Sequence, residues 1–433
     1  MPDAVPIAVL GGSSAFLPTL AAALADRANQ LPPLEIRLVG RDPRRTAIVA
    51  RFCTLHAEGR GVRHQYRPVP DVETAAEGVP LVVNQVRIGG FAGRSRDEQL
   101  ALEFGCPGDE TIGPGGLASA WRSLPPILHL ARRIERVAPE AWLVQISNPM
   151  PMLLAGLLQE TGLRTFGLCE LPTRTLEQAL GLIGRPPAAV ESHYVGVNHQ
   201  GWFVQVDAGG IDLLPEIFDR VEELDNGGPF FRVDAIVMRT RGALPLPYLR
   251  LYEHREREIA QMRARRQDRG EELADLAARL YALYATTDDP ALPAALSARN
   301  MPWNPMTLVP AIIALLGGPP ARAYVSEPNG GHLPFLPHQA IVEKLATVGR
   351  SGPQAPPPCT LPLARTHPHI VELLSQICEF ERLGATAALR RDPDMVLAAL
   401  RTHPFGISAA TATALLPGLL SAEHATTVAR SVP

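Results

Sequence analysis

Hydrophobic and polar positions follow one rule up to about residue 168 and another beyond it. In the first part, apolar runs at 6–10, 34–39, 79–83, 141–146 and 165–168 predict buried strands, with a weaker one at 62–66. Helical spacing of apolar residues fills the gaps at 18–28, 46–55, 72–76, 118–134 and 152–160. Strands alternating with helices imply a parallel sheet whose ligands meet the carboxyl ends of the strands. In the second part, 190–197 and 202–206 predict antiparallel strands, and 248–284 is helical and heavily charged. A helix at 308–316, strand and turn chemistry at 324–336, a proline-rich connection at 352–358 and amphipathic helices over 370–421 follow. A chain of 433 residues exceeds what one core usually serves. The expected fold class is therefore α/β, an N-terminal Rossmann-type parallel sheet (1–168) followed by an α+β domain (169–433).

One stretch stands outside the alternation. Residues 84–124 hold two glycine clusters (Gly89-Gly90 and Gly113, Gly115, Gly116), the arginines Arg94 and Arg96, and the acids Asp97, Glu98, Asp109 and Glu110. It is expected to be a long glycine-rich connection between a strand and a helix, and such connections usually carry function. The other polar clusters, Gly11–Ser14, Ser147-Asn148 and Cys169-Glu170, also fall at predicted strand ends.

Composition narrows the class. The apolar fraction of 46% excludes a largely disordered chain, and a net charge of -3 gives no general pull toward nucleic acid or a membrane surface. No apolar run reaches the roughly 20 residues of a membrane span. The N-terminus lacks the layout of a signal peptide, and five cysteines at wide spacing argue against a disulfide framework. A cytoplasmic enzyme acting on a small molecule is the expected class.

The opening residues carry the first chemistry. Strand, glycine turn, helix and strand within about 35 residues resemble the start of a dinucleotide-binding unit, where the cofactor pyrophosphate approaches backbone amides. Gly11, Gly12, Ser13 and Ser14 form that turn, although no clean G-x-G-x-x-G runs through it. The second strand usually ends in an acid that accepts the adenosine ribose hydroxyls. Here the sequence is Gly40-Arg41-Asp42-Pro43-Arg44-Arg45. Either the acid is displaced to Asp42, with Arg41 beside it, or the arginines crowd the place of a 2'-phosphate, or the segment is a solvated basic turn.

The segments GCPGDETIGPGG, AWLVQISNPM, GLCELP and VGVNHQGWF, in this order, resemble the family 4 glycoside hydrolases. Members of that family depend on NAD and a divalent metal, have a lactate/malate dehydrogenase-like fold, and commonly form homodimers or homotetramers. The resemblance implies hydrolysis through transient chemistry at the sugar ring. NAD oxidises C3, a base removes the C2 proton beside the metal, the C1 substituent leaves, water adds, and the hydride returns. Cys169 and His199 match the Mn²⁺ ligands. Tyr248 matches the base, supported by Glu110, with Tyr252 as the alternative. Arg94, Asn148 and Arg269 match residues that hold the sugar and its 6-phosphate; Arg299 is a further candidate in a segment that departs from the family pattern. Glu170 follows the metal cysteine where α-acting members carry an Asp as general acid.

The expected activity is cleavage of a 6-phosphorylated or otherwise anionic hexoside, with NAD or NADP as cofactor. The alternatives are an NAD(P)-dependent sugar or 2-hydroxy-acid dehydrogenase on the same fold, and a sensor that binds without turnover.

Overall fold

The computed structural model describes residues 4–421. Six parallel strands form the expected frame: β1 (Val5–Leu10), β2 (Leu34–Val39), β3 (Gln65–Pro68), β4 (Leu81–Asn84), β5 (Trp142–Gln145) and β6 (Arg164–Leu168). Their order is β6-β5-β4-β1-β2-β3, so the chain reverses direction across the sheet between β1 and β4. Ligands of open α/β sheets bind at such a switch point. β1 and β4 are buried almost throughout because helices cover both faces.

The helices of this part are α1 (Pro18–Asp26), α2 (Pro43–Gly59), α3 (Val72–Ala76), α4 (Gly90–Glu103), α5 (Gly113–Val137), α6 (Met150–Glu160) and α7 (Leu171–Leu182). The stretch 84–124 is thus not one long loop. α4 occupies its middle, and α5 begins five residues before the predicted start. The physical reason lies in what these helices bury. The buried face of α4 includes Asp97 and Glu98 instead of an apolar stripe; Asp97 accepts from Arg122 Nη1 at 2.7 Å and Glu98 from Arg94 Nε at 2.6 Å. Gly115 and Gly116 sit inside the first turn of α5, where a Cβ would collide with the carbonyl oxygens of Asp109 and Thr111. These glycines serve close backbone packing more than turning.

Beyond β6 the chain builds a small antiparallel sheet from β7 (Glu191–Val197), β8 (Gln200–Ala208), β9 (Ile211–Asp212) and β10 (Leu244–Pro245). It then returns to the first sheet. β11 (Ala321–Pro328) pairs antiparallel with β6, and β12 (Ile341–Gly349) and β13 (Gly352–Gln354) extend that edge to a nine-stranded sheet. β12 has no counterpart in the apolar pattern because Glu343 and Lys344 interrupt it, and β13 lies in the segment expected to be a proline-rich connection. The helix Arg269–Thr286 also turns back: Leu273, Leu276, Leu280 and Tyr284 lie on one face, in the same core as Phe52 of α2. A second core lies between the small sheet and the helix Pro368–Arg390.

Candidate active site

The site is built from strand ends. At the end of β6, Cys169 is buried and its Sγ accepts from the Leu171 amide at 3.4 Å. β7 and β8 are joined by the two residues Asn198-His199, since Val197 pairs with Gln200. His199 sits at φ 67°, a left-handed backbone that non-glycine residues rarely adopt and that tends to mark functional sites. Its Nδ1 is enclosed with no hydrogen-bond partner. Burial and the nearby Arg250 guanidinium push the imidazole down to about 4, so it is neutral near pH 7. A neutral imidazole is the form that binds a metal.

Cys169 lies beside the Asn198 side chain, which puts the thiol next to the His199 turn. Burial, with Glu343 and Glu170 close by, pushes the thiol well above its usual range. The Tyr248 ring stacks on His199, with centroids 4.4 Å apart and planes at 26°. On the same phenol, Arg250 lies 5.2 Å from the ring centre. The structure therefore brings Cys169, His199 and Tyr248 together from three separate stretches. Among the described residues no group of three or more His, Cys, Asp or Glu is placed to hold a metal ion. A cation here would have Cys169 and His199 as its side-chain ligands, leaving positions for substrate oxygens, and the unpartnered His199 Nδ1 fits that use.

Around Tyr248 the charges differ from the expectation. Burial raises the phenol strongly; Asp109 adds to this, while Arg250 and Arg94 oppose it. Glu110 is taken up in a double ion pair with Arg87 and with Arg94, the latter at 2.9 Å. The carboxylate whose field acts on the phenol is that of Asp109, itself tied to the amides of Thr111 (2.8 Å) and Ile112 (3.1 Å). Tyr252 donates to Gln200 Oε1, with its ring stacked on His403 and tilted against Phe405. Glu170 stands at the start of α7; burial raises its carboxyl, and Arg174 opposes the rise.

The arginines divide into held and free. Arg94 is engaged by Glu98 and Glu110, and Arg269 by Glu272 at 2.9 Å. Arg299 is different. Its guanidinium lies over Phe16 at 4.5 Å and near Phe91 at 5.9 Å, with Nη1 buried and unpartnered. Burial, then the charges of Arg94 and Arg269, pushes it down to about 9. The charges of Arg94 and Arg269, each already paired with a carboxylate, face Arg299, whose Nη1 is the donor left without a partner. Asn148, at the end of β5, has an enclosed Oδ1 without a partner.

At the switch point, Gly11 (φ 84°) and Gly12 pass so close to the sheet that a Cβ on Gly12 would stand 2.7 Å from that of Leu38. Ser13 presents its carbonyl to the Tyr281 hydroxyl, and the Ser14 hydroxyl accepts from the Phe16 amide at 3.3 Å. Gly40 stands where the ribose acid was expected; a Cβ there would lie 2.6 Å from the Ser13 amide nitrogen and collide with Thr46. Asp42 is the N-cap of α2, accepting from the Arg45 amide at 3.0 Å, and it pairs with the Arg45 side chain at 3.2 Å. Arg41 is exposed beside it.

Sequence reasoning missed Glu343 altogether. It is buried on β12, accepts from the Tyr194 hydroxyl at 2.6 Å, and is raised to about 8, chiefly by burial. The available signal was a Glu-Lys pair set between apolar residues in IVEKLATVG.

A family model described as "Family 4 glycosyl hydrolase" matches residues 6–182, and its C-terminal domain model matches 194–406. The chain belongs to this family. It is a glycoside hydrolase on a Rossmann-type fold, as the motifs implied. A 6-phospho-β-glucosidase of Escherichia coli is 26% identical over 424 residues, 93% of this chain and 92% of the relative. A maltose-6'-phosphate glucosidase of Bacillus subtilis is 30% identical over 222 residues, 50% of this chain and 49% of the relative. The structure of a 6-phospho-β-glucosidase from Thermotoga maritima with NAD and glucose 6-phosphate superposes with a TM-score of 0.86 at 23% identity, covering 97% and 98% of the two chains. No helix among the described residues is long and apolar enough to cross a membrane.

Proposed function

We propose that this chain hydrolyses a 6-phosphorylated hexoside with NAD and a divalent metal such as Mn²⁺, Cys169 and His199 being the metal ligands. The observation that carries the reading is the convergence of a buried cysteine, a histidine with an unpartnered Nδ1, and a tyrosine stacked on that histidine. When bound, NAD supplies a reversible hydride acceptor and the metal a Lewis acid for sugar oxygens. The chain's own residues supply the rest. Tyr248 takes the proton from C2, with Arg250 and Arg94 opposing the rise that burial and Asp109 impose on its phenol. Glu170, whose carboxyl burial raises, gives a proton to the departing oxygen. Arg299, flanked by Arg94 and Arg269, pairs with the substrate phosphate, while Asn148 orients the sugar. Gly11, Gly12, Ser13 and Ser14 receive the cofactor pyrophosphate, with Arg41 and Asp42 near its adenosine.

The same reading takes the protein as a cytoplasmic homodimer or homotetramer without nucleic-acid or membrane partners. Its test follows aglycone release and nicotinamide absorbance together on a panel of 6-phosphoglycosides with Mn²⁺ present. Aglycone release without accumulating NADH is expected, and Cys169→Ser and His199→Ala should each abolish it. Steady NADH production would replace this reading with a dehydrogenase. Full hydrolysis by a verified metal-free protein would remove the metal from it.

A further inference from the structure

The two proposed metal ligands arrive from different sheets, Cys169 from the end of β6 and His199 from the β7–β8 hairpin. Something must set their separation. Glu343 is two strands from β6 in register: it pairs with Ser326 of β11, and Ser326 pairs with Gly167. From there its carboxylate reaches across to the small sheet. Oε2 accepts from the Tyr194 hydroxyl at 2.6 Å and Oε1 from Asn198 Nδ2 at 3.5 Å, while Cys169 lies against it.

The path of Tyr194 is prepared by two glycines. Gly196 and Gly201 face each other across the hairpin, and a Cβ on Gly196 would stand 2.6 Å from the Tyr194 hydroxyl oxygen. A Cβ on Gly201 would collide with the same atom. The phenol thus crosses the hairpin through a gap that only paired glycines leave open, and ends on Glu343. Tyr194, Asn198 and Glu343 are all buried.

The geometry points to Glu343 as a positioning residue that joins the two sheets and holds Cys169 and the His199 turn at metal-binding separation. This rests on the reading of Cys169 and His199 as the ligand pair. Partners that orient metal ligands typically contribute about 10–100-fold to metal affinity.

Mn²⁺ binding is measured by electron paramagnetic resonance and Co²⁺ binding by its thiolate charge-transfer absorption, with NAD binding and thermal melting as controls for folding. Glu343→Leu should weaken both metals about 10–100-fold and lower the charge-transfer intensity at saturation, with NAD affinity retained. Tyr194→Phe removes a single hydroxyl and should weaken them near the low end of that range. Glu343→Gln keeps a hydrogen-bonding group for both neighbours and should stay within about threefold of wild type, since the geometry survives. Should Glu343→Leu fail to fold, Tyr194→Phe decides alone. Wild-type metal affinity in a folded Glu343→Leu or Tyr194→Phe protein overturns the inference, as does a Gln variant as weak as the Leu variant. Cys169→Ser is the separate control: undiminished Mn²⁺ binding there overturns the ligand pair itself, whatever Glu343 does.

Discussion

Replacing Arg299 with Met should stabilise the ligand-free protein while removing its response to a phosphorylated sugar. The guanidinium is held largely buried beside Arg94 and Arg269, and its pKa falls from the usual arginine range to about 9. At about 1.4 kcal/mol per pH unit, that fall corresponds to at most about 5 kcal/mol against the charged form. The faces of Phe16 and Phe91, with centroids at 4.5 and 5.9 Å, return about 1–2 kcal/mol through cation–π attraction. Water and side-chain relaxation reduce the remainder, because effective protein dielectrics are well above that of a dry interior. A net gain of about 1–3 kcal/mol on replacement is what survives these corrections. The sign is that of a base whose folded-state pKa is depressed. The penalty is full below about pH 9 and is relieved as pH rises through the folded value toward that of the unfolded chain. The stability gap between variant and wild type should therefore be flat from about pH 6 to 8 and narrow above about pH 9. Glucose 6-phosphate should stabilise the wild type by about 2.7 kcal/mol at a hundredfold excess over its Kd. Loss of a charge-assisted contact worth about 1.5–3 kcal/mol should weaken that ligand roughly 10–150-fold in Arg299→Met. Thermal melts with and without glucose 6-phosphate read both effects. A variant that melts below wild type without ligand, yet keeps the full ligand-induced rise, refutes the argument.

Three further outcomes are expected. Glu170→Gln should slow hydrolysis of phosphodisaccharides far more than that of nitrophenyl glycosides, whose leaving group departs without a proton; equal losses on both would contradict the acid role. Tyr248→Phe should suppress exchange of the C2 proton with solvent deuterium, and Asp109→Asn should alter that rate more than Glu110→Gln does, because Glu110 is already neutralised by Arg87 and Arg94; normal exchange in Tyr248→Phe with loss in Tyr252→Phe would move the base one turn along. Asp97→Asn leaves the buried Arg122 without its anion and should lower unfolding stability by about 3–5 kcal/mol in urea titrations, and a change under about 1 kcal/mol would show that water enters this pair.

The parallel sheet was legible because its central strands β1 and β4 are largely buried and stand out as apolar runs, while 34–39, where Glu35 and Arg37 alternate with apolar residues, coincides with β2. Cys169, Glu170, Asn148 and His199 were nominated by short motifs, and each lies just past a strand end. What only the tertiary structure decided follows from burial of charge. α4 escapes an apolar reading because the residues it buries include Asp97 and Glu98, whose partners Arg122 and Arg94 satisfy them only once the helices pack. β12 escapes because Glu343 and Lys344 find partners in other strands, Tyr194 for one and Glu327 at 3.0 Å for the other. The same principle sorted the candidate site residues. Glu110 and Arg94 neutralise each other, Asp42 caps a helix, and Arg299 keeps a buried donor without a partner. Residue type and spacing can nominate a charged side chain, but whether its charge is free for a ligand depends on which opposite charge the fold brings within about 4 Å.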